Sequence, residues 1–159
     1  MPASLTTEQV WREIEGSFFA VLGTVNRKGE PRTAGIVYVV RGRRLYIGTD
    51  PSSLKARNIR RNPNVSLTVT LDRRPFFLWR MKIPPAVITF RGEAVLRERE
   101  EVAPEIHEKL MSGIEMSEEA AAGTVFIEVT PRGHFSTYGV GVPLRAMLRP
   151  DEAWGRVAV

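Results

Sequence analysis

The chain has 159 residues, of which 43% are hydrophobic and none is cysteine. That length suffices for one well-buried core, and the lack of cysteine excludes structural disulfides and thiolate metal sites. The formal net charge is +5, from 23 basic and 18 acidic residues, which keeps a polyanion among the candidate partners. No segment approaches the roughly 20 apolar residues of a membrane span, so we expect a cytoplasmic protein.

The first 16 residues are predicted to contain a short helix (1–16). Thr6 and Gln9 have the spacing of a capping box, and Gly16 can end the helix. The apolar residues between them share one helical face: Val10, Trp11 and Ile14. We expect this face to pack against the rim of a sheet.

Three consecutive strands are predicted next. An apolar run at 18–25 leads into a turn that contains Gly29, where glycine permits positive φ. The second strand begins near Pro31 and continues to residue 40, and the third covers 45–49. Because the connections between them are short, we expect neighbouring strands to be antiparallel.

The segment TDPSSLKARNIRRNP, residues 49–63, joins the third strand to the fourth through a short basic helix. Ser52 or Ser53 can cap this helix, and the Asn-Pro pair ends it. Free amides at a helix start carry partial positive charge, and Lys55 and Arg57 add full charges. This arrangement suits a phosphate monoester; a solvated basic surface is the alternative.

The later elements are predicted from hydrophobic periodicity. Strands are expected at 65–71, 86–96, 124–129 and 135–138, an amphipathic helix at 98–112, and an arm at 140–159. Gly92 is a candidate bulge, and Gly113 a candidate helix end. Six or seven strands with short connections favour a mainly β fold, an antiparallel barrel with peripheral helices. We expect residues 1–159 to form a single domain.

The sequence offers little reactive chemistry of its own. The two histidines, His107 and His134, do not make a zinc cluster without cysteine, and His107 is expected on an exposed helix face. No Walker loop, nucleophile elbow or dinucleotide-binding glycine motif is present, and no catalytic side chain can be assigned. If the protein is an enzyme, we expect a bound cofactor to supply the chemistry.

The sequence blocks FFAVLGTVNRKGEPRTAGIVYVV, RLYIGT and SSLKARNIRRNPNVSLTV, in this order, resemble the pyridoxamine 5'-phosphate oxidase-like split β-barrel family. The resemblance extends over roughly residues 18–92 and implies an antiparallel split β-barrel of the FMN-binding type. It further implies FMN or the deazaflavin coenzyme as cofactor, a homodimer with the cofactor at the subunit interface, and a small-molecule substrate.

The same resemblance implies a cofactor site. The phosphate would contact the end of the third strand and the helix that follows, while the ring would lie along the second strand. The implied residues are Thr33, Ala34, Gly35, Ile36, Val37 and Tyr38 for the ring, Gly48 beside them, and Thr49, Ser53, Lys55 and Arg57 for the phosphate end. Gly35 would let a ring approach the backbone closely.

Several positions depart from the oxidase pattern. Leu54, Thr33 and Val87 stand where that pattern has an arginine, a basic residue and a glutamine. Its C-terminal arginine and histidine signature is also missing, with Trp154 and Arg156 as the nearest substitutes. These departures argue against vitamin B6 oxidation. The resemblance instead implies a flavin- or deazaflavin-dependent oxidoreductase that transfers a hydride to or from a small unidentified substrate.

Two features bear on partners. Both faces of the strand at 124–129 are apolar, and a dimer would cover the second face. The apolar loop at 72–85 is predicted to wall a substrate pocket or to reach the other subunit. Two alternatives stay open: a non-catalytic dimeric module that holds flavin or haem, and a polyanion or nucleic-acid binder using the arginines of 41–44 and 57–61. No nucleic-acid-binding motif accompanies those charges.

Overall fold

The computed structural model describes residues 4–72, 84–112 and 114–159. Its strands are β1 (Phe19–Val25), β2 (Pro31–Val37), β3 (Val39–Arg41), β4 (Arg44–Thr49), β5 (Asn64–Leu71), β6 (Ala86–Arg97), β7 (Val125–Tyr138) and β8 (Trp154–Ala158). Its α-helices are α1 (Thr7–Glu15), α2 (Leu54–Arg61), α3 (Pro104–Met111), α4 (Glu118–Ala122) and α5 (Pro150–Ala153), with 3₁₀ turns at Arg99–Glu101 and Leu144–Leu148.

The strands form one antiparallel sheet in the order β2-β1-β5-β6-β7-β4-β3, and β8 also pairs with β7. Only Tyr38 separates β2 from β3, yet these two strands lie at opposite ends of that order. The sheet must therefore curl until both of its edges meet in one segment. This architecture confirms the predicted mainly β split barrel, with six strands around the barrel when β2 and β3 count as one, and β8 as a seventh.

Alternating side chains fill the barrel interior. In β5, Val65, Leu67, Val69 and Leu71 are buried, while the residues between them are half-buried or exposed. Helix α1 packs into the same core through its predicted apolar face, confirming that prediction. Its capping box is also present: the amide of Gln9 donates to the Thr6 hydroxyl at 3.2 Å, and the amide of Thr6 donates to the Gln9 side chain at 2.8 Å.

The two strands predicted at 124–129 and 135–138 are one continuous strand, β7. It pairs with β4 through residues 125–129 and with β8 through residues 134–138, while β6 runs along most of its length. Gly133, at φ +79°, belongs to a three-residue bulge that lies opposite Phe90 alone. The Pro-Arg-Gly sequence thus bends a paired strand, because β6 holds both halves in register.

Gly92 is not the site of this bulge, contrary to its predicted role. It stays in register opposite Pro131, and a Cβ atom there would lie 2.8 Å from Cγ1 of Val129 and 2.9 Å from the carbonyl oxygen of Thr130. Glycine is required because the two backbones approach closely. We expect Gly92→Ala to lower the free energy of unfolding by about 1–3 kcal/mol, measured by urea denaturation. An unchanged denaturation midpoint would contradict this packing.

The predicted helix at 98–112 is interrupted. Residues 99–101 form a 3₁₀ turn, Ala103 is extended at ψ 136°, and α3 begins at Pro104, because proline disfavours helical geometry in the residue before it. The predicted helix end at Gly113 lies outside the described residues. Helix α3 also covers the outer face of β7, where Ile106 and Leu110 pack with Phe126. The second face of that strand is therefore buried within the chain, so it is no evidence for a dimer.

The segment 140–159 has regular elements, unlike the predicted arm. It contains the second 3₁₀ turn, α5 and β8, whose residues pair with 134–138. The Tyr138 hydroxyl donates to the carbonyl oxygen of Met147 at 2.6 Å and anchors the 3₁₀ turn. Periodicity did not indicate these elements because each is five residues or shorter.

Candidate functional site

The outer face of β2 presents three of the predicted ring-contacting residues. Thr33, Gly35 and Val37 alternate along the strand and are all exposed, Val37 by 42%. The ring of Phe19, from the neighbouring strand β1, lies over Gly35, since a Cβ atom there would be 3.2 Å from it. The missing Cβ of Gly35 thus makes room for the Phe19 ring on this face.

The end of β4 and the start of α2 bring two predicted hydroxyls together. Oγ1 of Thr49 lies 3.0 Å from Oγ of Ser53, and the amide of Ala56 donates to that serine oxygen at 3.3 Å. Ser53 is therefore the helix cap. The amide of Arg57 donates to the carbonyl oxygen of Ser53 at 3.0 Å, which leaves the first two amides of α2 without a helical partner.

Helix α2 is held rigidly on the barrel. The side chain of Asn58, which is 2% exposed, donates a hydrogen bond of 3.0 Å to the hydroxyl of Thr24 on β1. Ala56 and Ile59 are buried on the same side of the helix. Asparagine at 58 was not among the predicted residues; its place on the apolar face of a basic helix was the available signal. It fixes the orientation of the helix start.

These elements form an open cleft of about 310 Å³. It is lined by Phe19, Gly35, Ile36, Val37, Ile47, Gly48 and Lys55. Within the described residues, no carboxylate forms an ion pair with Lys55. The structure therefore brings together the predicted Gly35, Val37, Gly48 and Lys55, with the Thr49 and Ser53 hydroxyls at the adjoining end of β4. Phe19 is a member that the sequence did not predict.

A second cleft, of about 320 Å³, adjoins the first through Val37 and Gly48. Its floor also includes Thr49, and its walls come from the C-terminal end of α3, residues 114–116 and α4. Asp50 lies at its edge. Hydrogen bonds from the hydroxyl and amide of Ser52 lower the pKa of Asp50, and the charge of Lys55 lowers it further, so Asp50 is ionised at neutral pH.

Three predicted residues, Tyr38, Ala34 and Arg57, lie elsewhere or face away. The Tyr38 side chain is buried, and its hydroxyl donates to the carbonyl oxygen of Ile14 at 2.7 Å. Burial raises the pKa of Tyr38 to about 12, so this phenol stays neutral. Ile36 is buried but still contributes to the lining of the open cleft, and Ala34 is half-buried on the same side of β2. The Arg57 side chain lines a separate basic cleft beside the β1–β2 turn, with Lys28.

The basic turn at 41–44 is largely neutralised. Each of its arginines pairs with a carboxylate: Arg41 with Glu105 at 2.8 Å, Arg43 with Glu8 at 3.3 Å, and Arg44 with Glu128 at 3.9 Å. The described residues contain no cluster of three or more histidine, aspartate and glutamate side chains that could hold a metal ion.

The two histidines lie in different local environments. The His107 ring packs edge-on against Phe126 at 5.8 Å, and its buried Nε2 has no hydrogen-bond partner among the described residues, so the prediction of an exposed residue is wrong. His134 is exposed on β7, near Arg156.

The predicted role of the loop at 72–85 concerns mainly residues 73–83, which lie outside the described residues. Among the described helices, none has the length and apolarity to cross a bilayer.

Comparison with known proteins agrees with this fold. The family model described as pyridoxamine 5'-phosphate oxidase matches residues 6–137. The chain belongs to this family. No curated protein matches the sequence.

The names of solved structures with the same fold describe different kinds of protein. An F420 reductase is 20% identical with a TM-score of 0.63, covering 86% of this chain and 98% of its own. General Stress Protein 26 from Bacillus anthracis is 22% identical with a TM-score of 0.60, covering 94% and 96%. HutZ, a haem storage protein from Vibrio cholerae, is 16% identical with a TM-score of 0.67, covering 89% and 98%. At these identities the likeness establishes the fold alone.

Proposed function

We propose that this protein is an oxidoreductase that binds FMN or the deazaflavin coenzyme. The phosphate lies against the Thr49 and Ser53 hydroxyls, the free amides at the start of α2 and the ammonium group of Lys55. The ring lies on the outer face of β2, between Gly35 and Gly48. The observation that carries this proposal is the convergence of two hydroxyls, the first two amides of α2 and the Lys55 side chain, which forms no ion pair within the part of the chain that the structure describes, beside the cleft that Gly35 and Gly48 line.

Each group has a separate physical role. The helix amides and the lysine neutralise the phosphate charge. One of the Thr49 and Ser53 hydroxyls donates to the other, and the second donates to a phosphate oxygen. The planar ring would lie in the cleft that Gly35 and Gly48 line, with the Phe19 ring over Gly35 and the methyl group of Thr124 near Gly48. The bound cofactor supplies hydride transfer, and the protein binds it, orients it and limits its contact with water.

We further propose that two copies of the chain associate through the outer face of β1 and β2. Phe18 is 70% exposed, and Phe19 and Val37 are 37% and 42% exposed. Phe19 and Val37 pair across β1 and β2 and line the cofactor cleft, and Phe18 directly precedes Phe19, so a second copy would shield both these side chains and the ring.

Titration of the purified full chain with FMN and with riboflavin tests the phosphate site. The two ligands share one ring and differ only in the phosphate. We expect FMN to bind at least about tenfold more tightly than riboflavin, because the charge-assisted contacts need the phosphate. The deazaflavin coenzyme is titrated in parallel, and whichever of the two binds more tightly identifies the natural cofactor. Equal affinities for FMN and riboflavin would contradict the proposed phosphate site.

Haem binding is the competing function, because some proteins of this fold are named for it. Haem is added in the same series and followed by its Soret absorbance. Tight haem binding without affinity for FMN or the deazaflavin would replace our proposal with a non-catalytic module. A polyanion function at the 41–44 turn is less well supported, since its arginines are already paired.

A further inference from the structure

The second cleft, bounded by β4, α3 and α4, is largely apolar. The hydrophobic side chains that line it are Val37, Leu110, Met111, Ile114, Met116 and Ala120. Ile114 and Met116 are 46% and 43% exposed. Large apolar side chains grouped around a cavity mark a binding site more often than isolated ones do. Met111 and Met116 add unbranched, adaptable side chains that can fit ligands of different outline.

The charged residues that line this cleft are acidic among the residues that the structure describes. Among the described residues that line it, the charged ones are Asp50 and Glu119, and both are carboxylates. This contrasts with the chain as a whole, whose net charge is +5, and with the adjoining cleft, whose charged residue is Lys55. Gly48 and Val37 belong to both clefts. Cationic and anionic surroundings therefore meet at the place where the two clefts join.

We propose that the second cleft is the substrate site, and that it selects apolar substrates that are uncharged or cationic and rejects anions. This inference rests on the proposed function, because the substrate must lie beside the cofactor ring. The apolar walls bind the body of the substrate. Asp50 and Glu119 repel a negative group in the cleft, and Glu119 is the specificity-determining residue because its exposed side chain, from α4, lies outside the proposed phosphate site.

Two fluorescent probes with the same aromatic body test this selectivity. N-phenyl-1-naphthylamine is neutral, and 1-anilinonaphthalene-8-sulfonate carries one negative charge. Both are titrated into the full chain, with and without saturating FMN. Glu119→Lys reverses the charge at the cleft. Glu108→Lys makes the same change on the exposed side of α3, outside the cleft lining, and is the matched control.

We expect the wild-type protein to bind the neutral probe, and Glu119→Lys to raise the affinity of the sulfonate relative to the neutral probe by about tenfold, more at low salt than at high salt. Glu108→Lys should leave that ratio within about twofold of the wild-type ratio. Equal effects of the two variants, or no binding of either probe, would overturn the inference. Displacement of the neutral probe by FMN would also overturn it, since the cleft would then belong to the cofactor. Absence of FMN binding is a separate result, which defeats the proposed function and not the charge selectivity.

Discussion

Replacing Lys55 with alanine is expected to weaken FMN binding by about 1.5–3 kcal/mol, or roughly 10- to 150-fold in Kd. The ammonium group lines the cleft beside Gly48 and has no carboxylate partner among the described residues, so its charge is available to a phosphate. Riboflavin binding should change by less than about twofold, because riboflavin has no phosphate to lose contact with. Fluorescence titration measures both affinities.

Lys28→Ala is the matched control for that substitution. Lys28 lines the separate basic cleft beside the β1–β2 turn, so its removal changes the net charge equally without touching the proposed phosphate site. Arg57→Ala tests the placement of the other predicted cation, which lines the same basic cleft as Lys28. Both variants should bind FMN nearly as tightly as the wild-type protein. If Lys28→Ala weakened FMN binding as much as Lys55→Ala, the effect would be one of overall charge and the site would be wrongly placed.

Phe135→Ala is expected to lower the free energy of unfolding by about 3–5 kcal/mol. Phe135 is fully buried on β7, and its ring makes edge-to-face contacts with Trp11 of α1 at 5.5 Å and with Phe90 of β6 at 5.3 Å. Alanine would leave a cavity where the N-terminal helix meets the barrel. The loss would be a large share of the roughly 5–15 kcal/mol that stabilises a typical domain.

Urea denaturation at a fixed protein concentration measures this loss. Leu148→Ala is a useful control, because it removes a large apolar side chain that is 58% exposed, and it should change stability by less than about 0.5 kcal/mol. A similarly small effect of Phe135→Ala would show that α1 contributes little to the core.

The sequence predicted the elements whose signals are local. The capping box at Thr6, the alternation in β5 and the serine cap of α2 each depend on neighbouring residues, and each is present in the structure. The resemblance of residues 18–92 added the family and the split barrel. Ser53, as one of two candidate caps, and Lys55 followed from the same local reasoning, because a cap and a first helical turn follow one another directly, whereas Thr49 was implied by the resemblance.

Predictions failed where a distant segment decides the structure. The sequence around Gly133 predicts a turn between two strands, but β6 pairs on both sides of this bend and keeps β7 continuous. The apolar outer face of β7 predicts a dimer surface, but α3 packs over Phe126 and covers this face within the same chain. The role of Arg57 at the phosphate end stays a prediction: residues two apart on a helix point about 160° away from each other, and Arg57 lines the basic cleft beside the β1–β2 turn. The packing of α2 against β1 decides whether Lys55 or Arg57 points into the cleft.

The amino-acid order by itself determined most of the strands, the cap of the basic helix and several of the groups that we propose to hold a phosphate, since these follow from backbone preferences and side-chain chemistry within a few residues. Only the tertiary structure decided that Lys55 lies beside Gly35 and Gly48, and that two carboxylates stand at the apolar cleft next to them. Those neighbours come from β2, from the consecutive elements β4 and α2, and from α4, which lies more than 50 residues further along the chain. They meet because burial of the barrel interior curls the sheet and fixes which side of each element remains outside.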